Sequence, residues 1–84
     1  MIVFHDDAWA DYLYWLEHDK AMLKRVNALI KDIQRSPFVG IGKPEPLKHL
    51  GGGFWSRRIN DEHRLVYRFS DNELIIVQCR LHYR

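Results

Sequence analysis

The sequence predicts an α+β fold in which an N-terminal strand and a two-helix hairpin pack on one face of an antiparallel sheet. Two amphipathic stretches with helical spacing lie within residues 6–35, and three strand-like stretches lie within residues 54–82. The turns between those strands are short, and short turns join antiparallel neighbours. At 84 residues, we expect the chain to form one domain, residues 1–84.

Both helices are predicted in the first half of the chain. A short apolar strand at residues 1–4 precedes Asp6 or Asp7, which we expect to cap a helix that runs to about His18. Asp19 is the expected N-cap of the second helix, which ends before Pro37. The predicted buried stripes are Trp9, Tyr12, Leu13 and Leu16 in the first helix and Met22, Val26, Leu29, Ile30 and Ile33 in the second.

Strands are predicted at about residues 54–60, 63–69 and 73–82. Because side chains alternate along a strand, each strand should turn an apolar face to the helices and a polar, arginine-rich face to solvent. In the last strand this alternation groups Ile75, Val77, Cys79 and Leu81 on one face and Gln78, Arg80 and His82 on the other.

Charge is divided unevenly along the chain. Residues 1–42 carry five Lys/Arg against six Asp/Glu, whereas residues 43–84 carry eight against five, and six of those eight are arginines. A polyanionic partner such as nucleic acid is the natural interpretation, although small domains also segregate charge by chance.

The only cysteine, Cys79, allows no internal disulfide. The N-terminus does not resemble a signal peptide and no apolar run could span a bilayer, so we expect a cytoplasmic protein without membrane contact.

Glu45 is the first candidate for chemistry. It lies between Pro44 and Pro46 in the connection of residues 36–53, which holds all three prolines and all five glycines. The prolines restrict the backbone on both sides of Glu45, and a carboxylate on a stiff segment is preorganised as a general base or as an orienting group. The alternative from spacing alone is a solvated loop glutamate.

Arg64 is the second candidate, because several guanidinium groups on neighbouring strands could bind a phosphate and stabilise the charge of a phosphoryl transition state. The alternative is a charged outer face paired with local acids such as Asp61, Glu62 and Glu73. The other arginines considered with it are Arg57, Arg58, Arg68 and Arg80.

His82 and Tyr83 are the third candidates. A histidine titrates near neutral pH and can protonate a leaving group, and a tyrosine can stack on a base or hydrogen-bond a phosphate. The alternative is a frayed C-terminal tail. Cys79 with His82 gives only half of a zinc site, and the glycines form no phosphate-binding fingerprint, so we expect neither metal nor cofactor.

Four short stretches resemble the Txe/YoeB family of toxins within the RelE/ParE superfamily. They are KPEPLKHL (43–50), FWSRRI (54–59), EHRLVY (62–67) and CRLHY (79–83). The helical half is similar to the same family at WADYLYW (9–15) and NALIKDIQRSPFVGIGKPEP (27–46), so the resemblance covers nearly the whole chain. It implies a helix hairpin on a curved antiparallel sheet, as in RelE-like proteins.

The resemblance also implies a function. Such toxins cleave messenger RNA in the A site of the 30S subunit on the 70S ribosome, by acid–base chemistry without a metal. By matching position, Glu45 is expected to be the general base, His82 the general acid, Arg64 the group that stabilises the phosphorane and Tyr83 a tyrosine beside the site. Lys48 and Arg58 are expected to contact the RNA backbone.

The resemblance further implies a cognate YefM-like antitoxin that folds as it binds this chain. DNA would be contacted only indirectly, through that antitoxin, and a homodimer is a further expectation. Two other functions stay open: a ParE-like protein that inhibits DNA gyrase by binding, and an RNA-binding module without chemistry. Neither needs Glu45, Arg64, His82 and Tyr83 together.

Overall fold

The structure, a computed structural model, describes residues 1–82 and consists of two helices packed on a five-stranded sheet. The predicted α+β class is confirmed. The strands lie in the order β1-β5-β4-β3-β2. The elements are β1 (Ile2–Phe4), α1 (Asp6–His18), α2 (Lys20–Arg35), β2 (Glu45–Pro46), a short 3₁₀ helix (Lys48–Leu50), β3 (Phe54–Arg58), β4 (Arg64–Ser70) and β5 (Glu73–Gln78).

The sheet is mixed, because β1 lies parallel to β5 while the other neighbours are antiparallel. No tight turn fixes the direction of β1, since the whole helix hairpin separates it from the remaining strands. The β4–β5 hairpin is closed by Asp71 and Asn72, whose φ angles are 51° and 65°. Two successive positive φ angles are the geometry of the two-residue turns that suit the twist of a hairpin, and Asp and Asn tolerate it.

The prediction for α2 is confirmed. The Asp19 carboxylate accepts a hydrogen bond of 3.2 Å from the main-chain N–H of Met22, which caps the helix. Its apolar stripe, Val26, Leu29, Ile30 and Ile33, is buried in the core. Neither helix within residues 1–82 is long and apolar enough to cross a membrane.

The predicted stripe of α1 is wrong at Trp9 and Leu16, whereas Tyr12 is partly buried and packs against the core as predicted. The buried residues are Ala8, Asp11 and Trp15, whereas Trp9 and Leu16 are 48% and 46% exposed. The expected cap is also displaced, because the helix begins at Asp6 and His5 occupies the N-cap position without a side-chain capping bond. The exposed Trp9 ring instead stacks on the partly buried Tyr12, and both rings lie edge-on to Phe4.

The buried face of α1 is set by main-chain groups of Cys79, directly after β5. Asp11 accepts from the N–H of Cys79 at 3.0 Å, and the Trp15 indole donates to its carbonyl at 2.8 Å. The Cys79 thiol also donates to the carbonyl of Ala8 at 3.6 Å. A buried main-chain N–H and C=O both need partners, so a polar residue faces inward where apolar periodicity predicts solvent.

The predicted faces of the last strand are also wrong. Leu74 and Ile76 lie in the core, whereas Ile75 and Val77 are only partly buried on the other face. Cys79 nevertheless joins the core, because β5 ends at Gln78 and the alternation stops there. The pairing with β4 is also shifted between Val66 and Tyr67, which changes the register that simple alternation assumes.

Candidate active site

A polar cleft of about 250 Å³ opens where β2, β3, β4 and the segment after β5 meet. It brings together three of the residues singled out for chemistry and one of the two singled out for RNA contact. The lining residues are Lys43, Glu45, Ser56, Arg58, Arg64 and His82.

Glu45 reaches the cleft from β2, the two-residue strand at the edge of the sheet. It lies opposite Ser56 in the antiparallel ladder with β3, so the two residues share a face. The N–H of Leu47 donates to the carbonyl of Phe54 at 2.8 Å and fixes the next step of the chain. Pro44 and Pro46 suit an edge position, because proline cannot donate to a ladder. The Glu45 side chain is exposed to solvent.

Arg57 binds the segment that leads into β2 from the interior of the protein. The prediction that Arg57 joins the phosphate-binding arginines is therefore wrong. The Arg57 side chain is fully buried and paired with Asp32 of α2 at 2.5 Å. The guanidinium also donates to main-chain carbonyls of Ser36 at 2.6 Å, Val39 at 2.9 Å and Ile41 at 3.1 Å. Five donors in a rigid fork allow one arginine to hold several carbonyls of a loop.

Two neighbours complete this Arg57 network. Asp32 also accepts from the N–H of Ile41 at 3.1 Å, and its pKa falls from 3.8 to about 2, mainly through its hydrogen bond with Arg57. The Tyr67 hydroxyl donates to the carbonyl of Pro37 at 2.6 Å and accepts from Arg57 at 3.3 Å. Burial raises the pKa of Tyr67, so it stays a neutral donor.

Arg64 begins β4 and is 7% exposed at the edge of the cleft. One of its terminal nitrogens, Nη1, contacts the main-chain carbonyls of Asn60 at 2.7 Å, His63 at 3.1 Å and Asp61 at 3.3 Å. Within residues 1–82 no carboxylate forms an ion pair with Arg64. Neutral carbonyls therefore fix this cation in place without cancelling its charge, so it can act on an anion in the cleft.

His82 reaches the cleft on the segment that follows β5. The Gln78 side-chain amide donates to the carbonyls of Arg80 at 3.1 Å and Leu81 at 3.4 Å, and also to that of His82. The Arg64 N–H donates to the carbonyl of Leu81 at 2.9 Å. The part of the tail that carries His82 is therefore folded back on the sheet, not frayed. Tyr83 lies outside the described residues.

The remaining basic candidates lie elsewhere. Arg68 packs over Phe54 at 5.8 Å from the ring centroid, and Arg80 packs over Tyr14 of α1 at 3.6 Å. Lys48 is exposed in the 3₁₀ helix and borders a smaller, apolar groove beside the cleft, between β2 and the start of β3. Of the two residues expected to contact RNA, only Arg58 lines the cleft.

Two lining residues were not among the predicted site residues. Ser56 faces the cleft because it pairs with Glu45, and this pairing could not be foreseen without predicting β2 as a strand. Lys43 has a φ of 52°, an unusual value for a residue other than glycine. No group of three or more His, Cys, Asp or Glu side chains within residues 1–82 is arranged to hold a metal ion.

Residues 4–83 match the family described as the YoeB-like toxin of bacterial type II toxin-antitoxin systems. The chain belongs to the YoeB-like toxin family. It is similar along its length to toxin YoeB of Escherichia coli K12, with 57% identity over 98% of both chains. Toxin YoeB of Synechocystis is 58% identical over 99% of this chain and 96% of its own.

Solved structures of YoeB toxins share the fold. The YoeB–YefM heterotetramer of Staphylococcus aureus contains a chain with a TM-score of 0.91 and 49% identity, covering 99% of this chain and 97% of that one. A YoeB dimer from the same organism gives a TM-score of 0.92 at 49% identity, over 98% of this chain and 95% of that one. As a YoeB-family protein, this chain is the toxin of a type II toxin–antitoxin system.

Proposed function

We propose that this toxin is a ribosome-dependent endoribonuclease that cleaves messenger RNA in the A site and so inhibits translation. The observation that carries the proposal is the single cleft shared by Glu45, Arg64 and His82. A carboxylate, an imidazole and a fixed guanidinium can supply the base, the acid and the charge stabilisation that transfer of a phosphoryl group to the neighbouring 2′-hydroxyl needs.

The proposed reaction has two proton transfers. Glu45 takes the proton of the ribose 2′-hydroxyl as its oxygen attacks the adjacent phosphorus. The bond from phosphorus to the 5′-oxygen then breaks, and His82 gives that oxygen a proton. The products are a 2′,3′-cyclic phosphate and a 5′-hydroxyl, so water and a metal-bound hydroxide are not consumed in this step. Tyr83 is proposed to lie beside these groups.

Arg64 is proposed to stabilise the charge that grows on the non-bridging oxygens. Its fixed position in the cleft wall supports this role, because three carbonyls hold Nη1 and keep the side chain from collapsing onto a carboxylate. A preorganised cation of this kind need not reorient during the reaction, which is the basis of electrostatic catalysis.

The basic residues at the rim are proposed to bind the RNA backbone. Arg58 and Lys43 line the cleft, and Lys48 lies on the adjoining 3₁₀ helix. Contacts with phosphates position a nucleic acid without reading its sequence. A small open cleft holds a flexible strand poorly, so the ribosome is proposed to supply the bent messenger and most of the binding energy.

We further propose that the partner of this toxin is a YefM-like antitoxin, that the pair contacts DNA through the antitoxin, and that the toxin can form a homodimer. The support is the similarity to the YoeB–YefM complex and the YoeB dimer of Staphylococcus aureus. Because its proposed target is the ribosome, the toxin is proposed to act in the cytoplasm.

The test is primer extension on a defined messenger programmed into purified 70S ribosomes. Wild type should cleave at the A-site codon, and His82→Ala and Glu45→Gln should reduce cleavage by at least about 100-fold each, because general acid–base groups contribute roughly that much. His5→Ala, an exposed histidine at the start of α1, is the matched control and should cleave normally.

Two outcomes would replace the proposal. No cleavage by folded wild type, together with inhibition of DNA gyrase, would favour the ParE-like function. Binding of RNA without cleavage on ribosomes and without inhibition of DNA gyrase would favour an RNA-binding module without chemistry.

A further inference from the structure

His63 lies outside the cleft but contacts the segment that carries His82. It is the last residue of the turn between β3 and β4, and its Nδ1 accepts a hydrogen bond of 2.7 Å from the main-chain N–H of Leu81. A main-chain N–H can only donate, so Nδ1 carries no proton and the neutral ring keeps its proton on Nε2. The tautomer of His63 therefore follows from its partner.

The ring of His63 is fixed from two other sides. Trp15 of α1 packs edge-to-face against it, with ring centroids 4.9 Å apart and an interplanar angle of 82°. The turn beneath is closed by Asn60, whose side-chain oxygen accepts from the N–H groups of Glu62 at 2.9 Å and His63 at 2.8 Å. A side chain held by packing and by a closed turn can define the position of what it binds.

The segment that His63 binds contains a residue in an unfavourable backbone conformation. Leu81 has a φ of 67°, in the left-handed region that a leucine rarely adopts. This conformation turns the chain away from the line of β5 and is stabilised by three hydrogen bonds at Leu81. Its N–H donates to His63, and its carbonyl accepts from the N–H of Arg64 and, at 3.4 Å, from the side-chain amide of Gln78. His82 is the next residue along the chain and lines the cleft.

We propose that His63 is a positioning residue for His82. Its Nδ1 keeps Leu81 in the left-handed conformation, and this conformation directs the imidazole of His82 into the cleft beside Arg64. The inference rests on the proposed function, because it assigns His63 a task in delivering the general acid. His63 itself touches neither the messenger nor the reacting atoms.

Two substitutions at this position separate the hydrogen bond from the bulk of the ring. His63→Asn keeps an acceptor oxygen close to the position of Nδ1, whereas His63→Leu keeps an apolar side chain and removes the acceptor. We expect His63→Leu to lower kcat for cleavage on programmed 70S ribosomes by about 10- to 100-fold, since a misplacement of about 1 Å can cost that much. His63→Asn should stay within about threefold of wild type, because it keeps the acceptor.

Comparing the change in kcat with the change in KM separates a loss of positioning from a general disruption of the structure. KM for programmed ribosomes should stay within about twofold in both variants, because the basic rim is unchanged. Glu62→Gln is the control: its carboxylate is exposed and lies 3.7 Å from Nε2, on the side of the ring away from Leu81. It should leave kcat unchanged. Equal losses in the Asn and Leu variants, or a Leu variant as fast as wild type, would overturn the proposal.

A second measurement does not depend on cleavage. In ¹⁵N-labelled wild type, a scalar coupling across the hydrogen bond between the Leu81 amide nitrogen and His63 Nδ1 should be detectable by NMR. Its absence would overturn the proposal even if His63→Leu fails to fold. If wild type does not cleave messenger RNA, the proposed function fails and the positioning of an acid fails with it, whereas this coupling still shows whether His63 holds the tail.

Discussion

Arg57 of β3 and Asp32 of α2 form an ion pair of 2.5 Å in the interior, beneath the loop that leads to Glu45. The same guanidinium holds three carbonyls of residues 36–41, so the pair joins helix, sheet and loop at one point. Asp32 is the only carboxylate that pairs with Arg57 within residues 1–82. Stability and the geometry of the cleft should therefore both depend on this contact.

Arg57→Met should lower the midpoint of thermal unfolding by more than about 10 °C. Removing Arg57 leaves the Asp32 carboxylate with the exposed Arg35 as its only ion-pair partner within residues 1–82, and the carbonyls of Ser36, Val39 and Ile41 lose their donor. The double variant Arg57→Met with Asp32→Leu should recover part of that loss, because no unpaired charge remains. Calorimetry of the three proteins checks this, and a double variant less stable than the single one would contradict it.

Stability should fall in acid through the titration of Asp32. Its pKa is about 2 in the folded chain against an ordinary value of 3.8, so the carboxylate is favoured by folding. This contribution is complete above the ordinary value and is lost as pH falls through about 2. Urea unfolding at pH 4.5, 3.5 and 2.5 should show a steeper decline for wild type than for Asp32→Asn. Parallel declines would assign the acid sensitivity to other carboxylates.

Gly40→Ala should destabilise the protein far more than Gly53→Ala. Both glycines have positive φ, 127° and 76°, but an added Cβ at Gly40 would overlap the Asp32 carboxylate, while at Gly53 it would meet nothing within 4 Å. Gly53→Ala should thus cost only backbone strain, about 1–2 kcal/mol. Gly40→Ala should in addition displace Asp32 from Arg57. Urea unfolding of both variants measures the difference, and similar losses would mean that the loop shifts freely.

Arg64→Lys should reduce the cleavage rate on ribosomes by about 100-fold, even though the positive charge is kept. A lysine ammonium cannot be held by three carbonyls and also reach into the cleft, so the preorganised cation is lost. Arg35→Lys is the matched control: Arg35 is 79% exposed, and the lysine keeps a cation beside Asp32, with which Arg35 pairs at 2.7 Å, so the rate should be unchanged. Single-turnover kinetics check the pair, and an Arg64→Lys variant that cleaves at nearly the wild-type rate would show that charge alone suffices.

The parts of the fold that the sequence predicts well are those governed by apolar periodicity alone. The stripe of α2 is an example, because Val26, Leu29, Ile30 and Ile33 all meet the core and Asp19 caps the helix as expected. The stripe of α1 fails at Trp9 and Leu16, because buried main-chain groups of Cys79 select Asp11 and Trp15 for the inner face. Such a requirement depends on where β5 ends, and Cys79 lies 68 and 64 residues beyond these two partners along the chain.

In the candidate site too, some residues could be predicted from the sequence and others depend on how the strands pair. Glu45, Arg64 and His82 were singled out from local stiffness, residue type and family resemblance, and they share one cleft. Their roles in chemistry stay predictions. Arg57 and Arg58 are adjacent and look equivalent in the sequence, yet β3 turns one into the interior and the other to the cleft. Only the register of β3 separates them, and that register is set by pairing with β2 and β4.

The pairing of β1 with β5 also governs when this protein can fold during its own synthesis. The carbonyl of Met1 accepts from the N–H of Leu74, and Ala8, Asp11 and Trp15 contact Cys79, so these residues bind partners that are synthesised much later. Contacts between distant parts of a chain slow folding, and here they cannot form while β5 is still inside the exit tunnel. The nascent toxin thus lacks its cleft until β5 has left the tunnel.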